Sequence, residues 1–272
     1  MRNALSIDLE DWFCVENLRE VFTRKDWDKC ELRIGKSTGR ILELLSKHNT
    51  KATFFVLGWI AEQIPALVGK IEEEGHEIAT HGYSHTPLTL MTQRSFRKDL
   101  ERALEVTKRC SREVILGFRA PSFSITEKTL WAFEVLEKVG IRYDSSVFPI
   151  GFHPDYGMPD APLSIYSVSD RLTEFPLSCV EMLGKRVPCS GGGYFRVYPY
   201  WLTRAFIKRC NREGRPVVFY IHPWEFDPDQ PRIDLPIFKR WRHYSNLDRT
   251  FERFDRLLGD FEFATIREVL GL

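Results

Sequence analysis

Histidine is scarce in this chain, yet two of the seven, His81 and His85, stand four residues apart in the stretch THGYSH. Neutral imidazoles beside a carboxylate suit zinc and its neighbours, and two nitrogens with one oxygen leave positions open for water and substrate. Gly82 between them gives the backbone room to bend. An isolated pair at this spacing is usually a surface feature; this one follows directly on the strand-like run EIAT. A partner acid is at hand in SIDLED, where alternation puts Asp8 and Glu10 on one face of an extended segment and Asp11 on the other. One carboxylate could bind a metal while its neighbour, with a reference pKa of about 3.9, stays ionised as a base. Arg119, in FRAPS, offers a fixed charge able to hold Asp8 ionised and oriented. Ser122 retains the N–H that Pro121 lacks and could turn it toward a developing oxyanion. His222 closes the apolar run VVFYI and is fixed by Pro223, a placement that suits a general acid protonating a leaving amine.

Residues so far apart need a scaffold that gathers them. Short β-branched or aromatic runs at 4–8, 52–57, 77–81, 114–119, 141–145, 217–222 and 262–266 read as strands. Between them, 37–49, 95–110, 126–140 and 199–214 carry apolar residues at helical spacing, two of them behind a Ser or Thr cap. The alternation predicts an α/β fold with a parallel sheet or barrel, whose chemistry gathers at the carboxyl ends of the strands. Asp8, Glu10, Asp11, His81, His85, Arg119, Asp144, His222 and Glu225 all fall at such ends. Residues 149–198 break the rhythm with prolines and glycines and read as a β-rich insert shaping a binding mouth. The whole of 1–272 reads as a single domain.

With 272 residues and 43% hydrophobic content, one large core is feasible. The 39 basic and 38 acidic side chains leave a formal charge of +1, which gives no global electrostatic case for nucleic acid. The first apolar stretch meets Asp8 too early for a signal-peptide core, and no run is long enough to span a bilayer, so a cytoplasmic location is expected. The six cysteines are dispersed without a C-x-x-C pair and read as reduced thiols, mostly buried.

Taken in order, SIDLED, THGYSH, RAPS, YDSS and YIH resemble the motifs of the polysaccharide deacetylases of carbohydrate esterase family 4, the NodB homology group. That resemblance implies a distorted (β/α)7-type barrel and a metal-dependent hydrolase that removes N-acetyl groups. DLEDWF, YDSSVFP, GGGYFR, HPWEFDPDQPR and RHYSNL are further similar to the subfamily associated with exosortase and PEP-CTERM exopolysaccharide loci, with a subfamily-specific C-terminal region at about 223–272. The implied substrate is an N-acetylated polysaccharide or its lipid-linked precursor, with peripheral contact to membrane-bound machinery.

The family's first motif usually has adjacent aspartates, base then ligand, whereas here the order is Asp8, Leu9, Glu10, Asp11. Alternation and relatives with a one-residue spacer favour Asp8 as base and Glu10, with His81 and His85, as metal ligands; Asp11 is the alternative carboxylate. Zn2+ is the expected ion, with Co2+ or Ni2+ also compatible. The resemblance further implies an acid that tunes His222, and Asp144 is the expected residue. Trp12, Trp224, Tyr194 and Phe195 are candidate sugar platforms, near glycines 191–193 that would allow close approach. The cations of RIDLPIFKRWRHY read as a solvated face or as contacts to lipid-linked phosphate. The rival readings are a cyclic-amide hydrolase of the allantoinase type, which retention of both histidines disfavours, a non-haem iron oxygenase, which the βα rhythm disfavours, and a glycan-binding module without turnover.

Overall fold

The computed structural model describes residues 1–151 and 156–272. Residues 152–155, inside the expected insert, lie outside the described residues. The strands are β1 Asn3–Leu9, β2 Thr53–Val56, β3 Glu77–Thr80, β4 Gly117–Phe118, β5 Tyr143–Asp144, β6 Tyr166–Ser167, β7 Thr173–Glu174, β8 Cys179–Met182, β9 Lys185–Pro188, β10 Val218–Ile221 and β11 Phe263–Ala264. The helices are α1 Ile34–Lys47, α2 Gly58–Gln63, α3 Pro65–Glu73, α4 Gln93–Lys108, α5 Trp131–Lys138, α6 Gly192–Val197, α7 Tyr200–Arg212, α8 Ile237–Tyr244, α9 Thr250–Asp260 and α10 Ile266–Leu270.

One sheet runs β10-β1-β2-β3-β4-β5-β7-β6, with β11 pairing the start of β1; only β6 is antiparallel to its neighbour. It curls into an α/β half-barrel whose path ends at β10 and β6. Ladder register explains how distant residues meet. Ile7 pairs Ile221, Leu9 pairs Val56, Val56 pairs Thr80, Thr80 pairs Phe118 and Phe118 pairs Asp144. His81, Arg119 and His222 each follow one of these last paired residues, so all leave the sheet at one end.

Alternation decides which face they take. Leu5, Ile7, Leu9, Phe54, Val56, Phe219 and Ile221 pack outward into the large core beneath the helices, whereas Ala4, Phe55, Ala79, Val218 and Tyr220 pack inside the curl. The two-residue period then carries Asp8, His81 and His222 to the inner face. β1, buried along its whole length, is the strand both halves of the chain share.

Two elements differ from expectation for identifiable reasons. The insert does more than shape a mouth: β7 extends the main sheet beside β5, and β8–β9 form a separate hairpin. α1 begins at Ile34, one turn before Ser37, because its cap comes from elsewhere in the chain. Asp11 Oδ2 accepts from the amides of Arg33 (2.8 Å) and Ile34 (3.0 Å), and Oδ1 accepts from Trp12 (2.8 Å). Burial raises the Asp11 carboxyl to about 6 even against these donors. Asp11, the alternative ligand, is thus an N-terminal cap that moors α1 to the end of β1.

Asp11→Ala is expected to lower unfolding free energy in urea by about 1–2 kcal/mol, with Asp11→Asn recovering part of it. An unchanged midpoint in the alanine variant would remove the cap assignment.

Candidate active site

Asp8 is held first by charge. Arg119, fully buried, donates through Nη1 to Asp8 Oδ1 (2.7 Å) and Ser6 Oγ (2.7 Å), through Nε to the Ser145 carbonyl (2.8 Å) and through Nη2 to Ser145 Oγ (2.8 Å). Its guanidinium also lies 4.2 Å from the Phe55 ring centroid. A planar cation bound on so many sides fixes the rotamer of the carboxylate it touches. The other Asp8 oxygen, Oδ2, faces His222 Nε2 at 3.7 Å.

Two residues on, the chain turns: the Glu10 amide donates to the Asp8 carbonyl (2.9 Å), and the Glu10 carboxylate enters the same pocket. Its Oε2 lies 2.8 Å from His85 Nε2 and Oε1 lies 3.3 Å from His222 Nε2. Gly82, at φ 72°, makes the bend between the histidines, and His85 itself sits at φ 54°. The two imidazole centroids are 5.1 Å apart. Donor atoms of Glu10, His81 and His85, all buried, fall within 4.8 Å of one another.

This trio fits a metal ion. Glu10 Oε2 is buried, and the group that faces it is the imidazole of His85 at 2.8 Å, so a carboxylate and an imidazole already converge where an ion would sit. His81 Nδ1 lies 2.9 Å from the Arg119 carbonyl, so it donates there and leaves Nε2 as a lone-pair donor. Burial drives His81 down to about 3, keeping it neutral, the form a metal requires. Burial alone would raise Glu10, but the charge and hydrogen bonding of His85, then the charges of His222 and His81, hold it below its usual value.

His222 is the third corner. Burial pulls its pKa down, yet the hydrogen bond and charge of Glu225, followed by Glu10 and Asp8, raise it to about 9. Glu225 Oε2 lies 3.1 Å from His222 Nδ1 and accepts from the His222 amide (3.0 Å); Oε1 accepts from Arg196 Nε (2.9 Å). Burial disfavours the charged Glu225, but Arg196 and His222 bring it to about 2. The glycine run beside them serves this contact: a Cβ at Gly192 would lie 1.6 Å from Glu225 Oε2. Gly192 therefore admits a carboxylate and Gly191 the Tyr220 ring, where the sequence suggested a sugar.

Asp144, expected to tune His222, does not meet it. Four strands separate β5 from β10, and Asp144 Oδ1 accepts from Ser146 Oγ (2.6 Å), whose oxygen accepts from the Ala120 amide (2.7 Å). Burial and then the Asp144 charge push the Glu174 carboxyl well above its ordinary range, and the two acids brace the turn beside Arg119 through Ser146 and the Val147 amide. Trp12 is likewise absent from the cavity, with Nε1 bound to the Glu31 carbonyl (3.0 Å) and its ring edge-on to Phe13 and Phe22. Phe195 is buried in the outer core. Ser122, Tyr194 and Trp224 do line the cavity. Ser122 takes φ 53° and donates Oγ to Glu16 (2.8 Å), and Trp224 is sandwiched between His222 and His243. Sequence reasoning missed the roles of Glu225 and Arg196; the signal for the first was a His-Pro-x-Glu turn in capping-box form.

The cavity, about 330 Å³, has Asp8, Glu10, His81, His85 and His222 in its wall and aromatic groups from Phe123, Tyr194, Tyr198 and Trp224 around them. Residues 27–143 match the family model described as polysaccharide deacetylase, and residues 145–271 match a domain of unknown function, DUF3473. Over residues 27–143 the chain is therefore similar to polysaccharide deacetylases. A peptidoglycan-N-acetylglucosamine deacetylase from Bacillus cereus is 39% identical over 98 residues, which are 36% of this chain and 36% of that protein. The chain thus spans little more than a third of that relative. A solved Mycobacterium smegmatis protein, assigned provisionally as a polysaccharide deacetylase, superposes with TM-score 0.65 at 20% identity, over 100% of this chain and 90% of that one. A CE4 family pseudoenzyme from Bacillus anthracis superposes at 0.52 with 14% identity, over 99% and 65%. These likenesses establish the curled α/β fold, which a pseudoenzyme shares, so the chemistry rests on the site.

Two outcomes follow. His81→Ala should weaken Zn2+ binding in isothermal titration calorimetry by more than the roughly 10–100-fold typical of outer-shell partners; equal affinity would dissolve the trio. In metal-free protein, NMR should find His222 titrating near about 9, well above its free value of 6.5. Its stabilising contribution is then fully present below pH 6.5 and is lost as pH rises through about 9. Glu225→Gln should shift that titration down by at least one unit, while Asp144→Asn should leave it in place.

Proposed function

We propose that the protein is a metal-dependent N-deacetylase acting on an acetylated exopolysaccharide or its lipid-linked precursor. The single observation that carries this reading is the pairing of a clamped carboxylate, Asp8, with a histidine held cationic, His222, across one cavity beside the Glu10, His81 and His85 trio. A carboxylate placed as base and an imidazole placed as acid are what amide hydrolysis needs on its two sides.

A divalent cation held by Glu10, His81 and His85, with Zn2+ the first choice, would supply polarisation of the acetamide carbonyl and a lowered pKa for water. Asp8 Oδ2 takes the proton of the attacking water while Arg119 keeps the other oxygen engaged. As water adds to the carbonyl carbon, the Ser122 amide supports the charge developing on oxygen. His222 Nε2 then delivers its proton to the sugar nitrogen as the C–N bond breaks, giving a free amine and acetate. Glu225 holds the imidazole by Nδ1 so that Nε2 carries the mobile proton. Tyr194 and Trp224 offer ring faces and edges to the sugar.

Residues 1–272 act as one unit in this reading, since strands from both halves flank β1. We place the enzyme in the reducing cytoplasm, a reading supported by six free cysteines.

The decisive assay is acetate release from a panel of N-acetylated glycans, with and without chelator. Release that stops on chelation and falls about 10²–10⁴-fold in Asp8→Asn and in His222→Ala is expected. Glycan binding without acetate release would instead favour a module that recognises sugar and does not turn it over.

A further inference from the structure

α8 carries the sequence IFKRWRHY, and of its eight residues only His243 is buried. That histidine stacks on Trp224 (4.7 Å), and the carbonyls of Arg242, His243 and Ser245 accept from Arg196, the same guanidinium that pairs with Glu225. The helix is therefore rigidly moored on its inner side. Its outer side is unusual: Ile237 is 81% exposed, Phe238 83% and Trp241 56%. At 100° per residue these three share one face, with Arg240 on one flank and Arg242 on the other.

The charge around that face is one-sided. α8 contains Lys239, Arg240 and Arg242 and no acidic residue, in a chain whose formal charge is only +1. Lys239 is paired with Glu20 (2.9 Å), but Arg240 and Arg242 make no ion pair among the described residues. An apolar face bordered by arginines is the composition of a helix that lies in a lipid headgroup region, where long cationic side chains reach phosphate while aromatic groups enter the acyl boundary. A second copy fits less well. Even fully buried aromatic side chains supply roughly 150–250 Å² each, short of the ~800 Å² per partner of a stable interface once Ile237 alone is added, and like charges would face each other.

We propose that α8 docks the protein on an anionic lipid bilayer surface, with Ile237, Phe238 and Trp241 entering the headgroup boundary and Arg240 and Arg242 contacting lipid phosphates. Trp241 and Arg242 also line the catalytic cavity, so docking brings its mouth to the lipid surface. Among the described residues no helix is long and apolar enough to cross a membrane, so the attachment is peripheral and reversible. This goes beyond the deacetylase reading and does not rest on it.

Co-sedimentation of the full chain with phosphatidylserine–phosphatidylcholine vesicles, against phosphatidylcholine alone, tests the proposal. Binding to the anionic vesicles is expected, weaker in about 1 M salt than in about 0.1 M, and reduced at least tenfold in Ile237→Ser/Phe238→Ser. Equal binding to neutral vesicles, full binding by the double variant, or a wild-type dimer in sedimentation equilibrium that the variant abolishes would each overturn it. Acetate release from a soluble glycan by the same variant is read separately and should match wild type; its absence in both proteins would count against the deacetylase reading alone.

Discussion

A guanidinium sealed from water has to be neutralised where it lies, and Arg119 is fully buried. Asp8 provides the counter-charge, while Ser6 and Ser145 take up other donors, so one side chain ties β1, β4 and the turn after β5 together. Deleting either member of such a pair leaves a lone buried charge, at a cost of about 3–5 kcal/mol. The same requirement recurs on the far wall, where buried Arg196 is neutralised by Glu225. His222 sits between these two pairs, 3.7 Å from Asp8 and 3.1 Å from Glu225. The proposed catalytic constellation is therefore also the solution to an electrostatic problem of the core, and its geometry is as rigid as the core demands.

The site is composite along the chain. Residues 27–143, matched to the polysaccharide deacetylase family, contribute His81, His85 and Arg119. His222, Glu225, Arg196 and Tyr194 come from 145–271. Asp8 and Glu10 precede both. β1 reconciles the three pieces because β2 pairs with one of its edges and β10 with the other. Parallel register then delivers acid, imidazole pair and distal histidine to one end of the sheet, where Glu10 meets both His85 and His222.

That register is why so much of the site was legible in the sequence. Each strand announced itself by an apolar run, and the polar residue ending it inherits its position from the ladder; Asp8, His81, Arg119 and His222 meet in this way, and Glu10 and His85 join them through the turns just beyond. Residues whose place depends on packing between elements were not legible. Trp12 lies only four positions from Asp8 but past the end of β1, where the chain turns into the core. Asp144 obeys the strand-end rule, yet its partner Glu174 is thirty residues on, in a stretch with little periodicity, and that pairing turns it toward Ser146. Asp11 reads as a possible ligand until α1 is seen to need an acceptor.

Charge balance inside the cavity shows how metal and proton are linked. With His222 protonated, the cations Arg119, Arg196 and His222 face the anions Asp8, Glu10 and Glu225, and Glu10 also raises the proton affinity of His85. Against the cost of burial, the Glu225 contact with Glu10 and Asp8 behind it raises His222 to about 9, and Arg196 with His222 lowers Glu225 to about 2. A divalent cation at the trio adds two positive charges and breaks the balance, so it must lower the proton affinity of the groups around it. His85, raised by Glu10 and itself one of the trio, would give up its proton first, and His222, raised by Glu225, Glu10 and Asp8, is the next group able to respond. Binding of the ion would bring its pKa down toward the range where a general acid can both hold a proton and release it, which makes the strong Glu225 contact a counterweight to the metal.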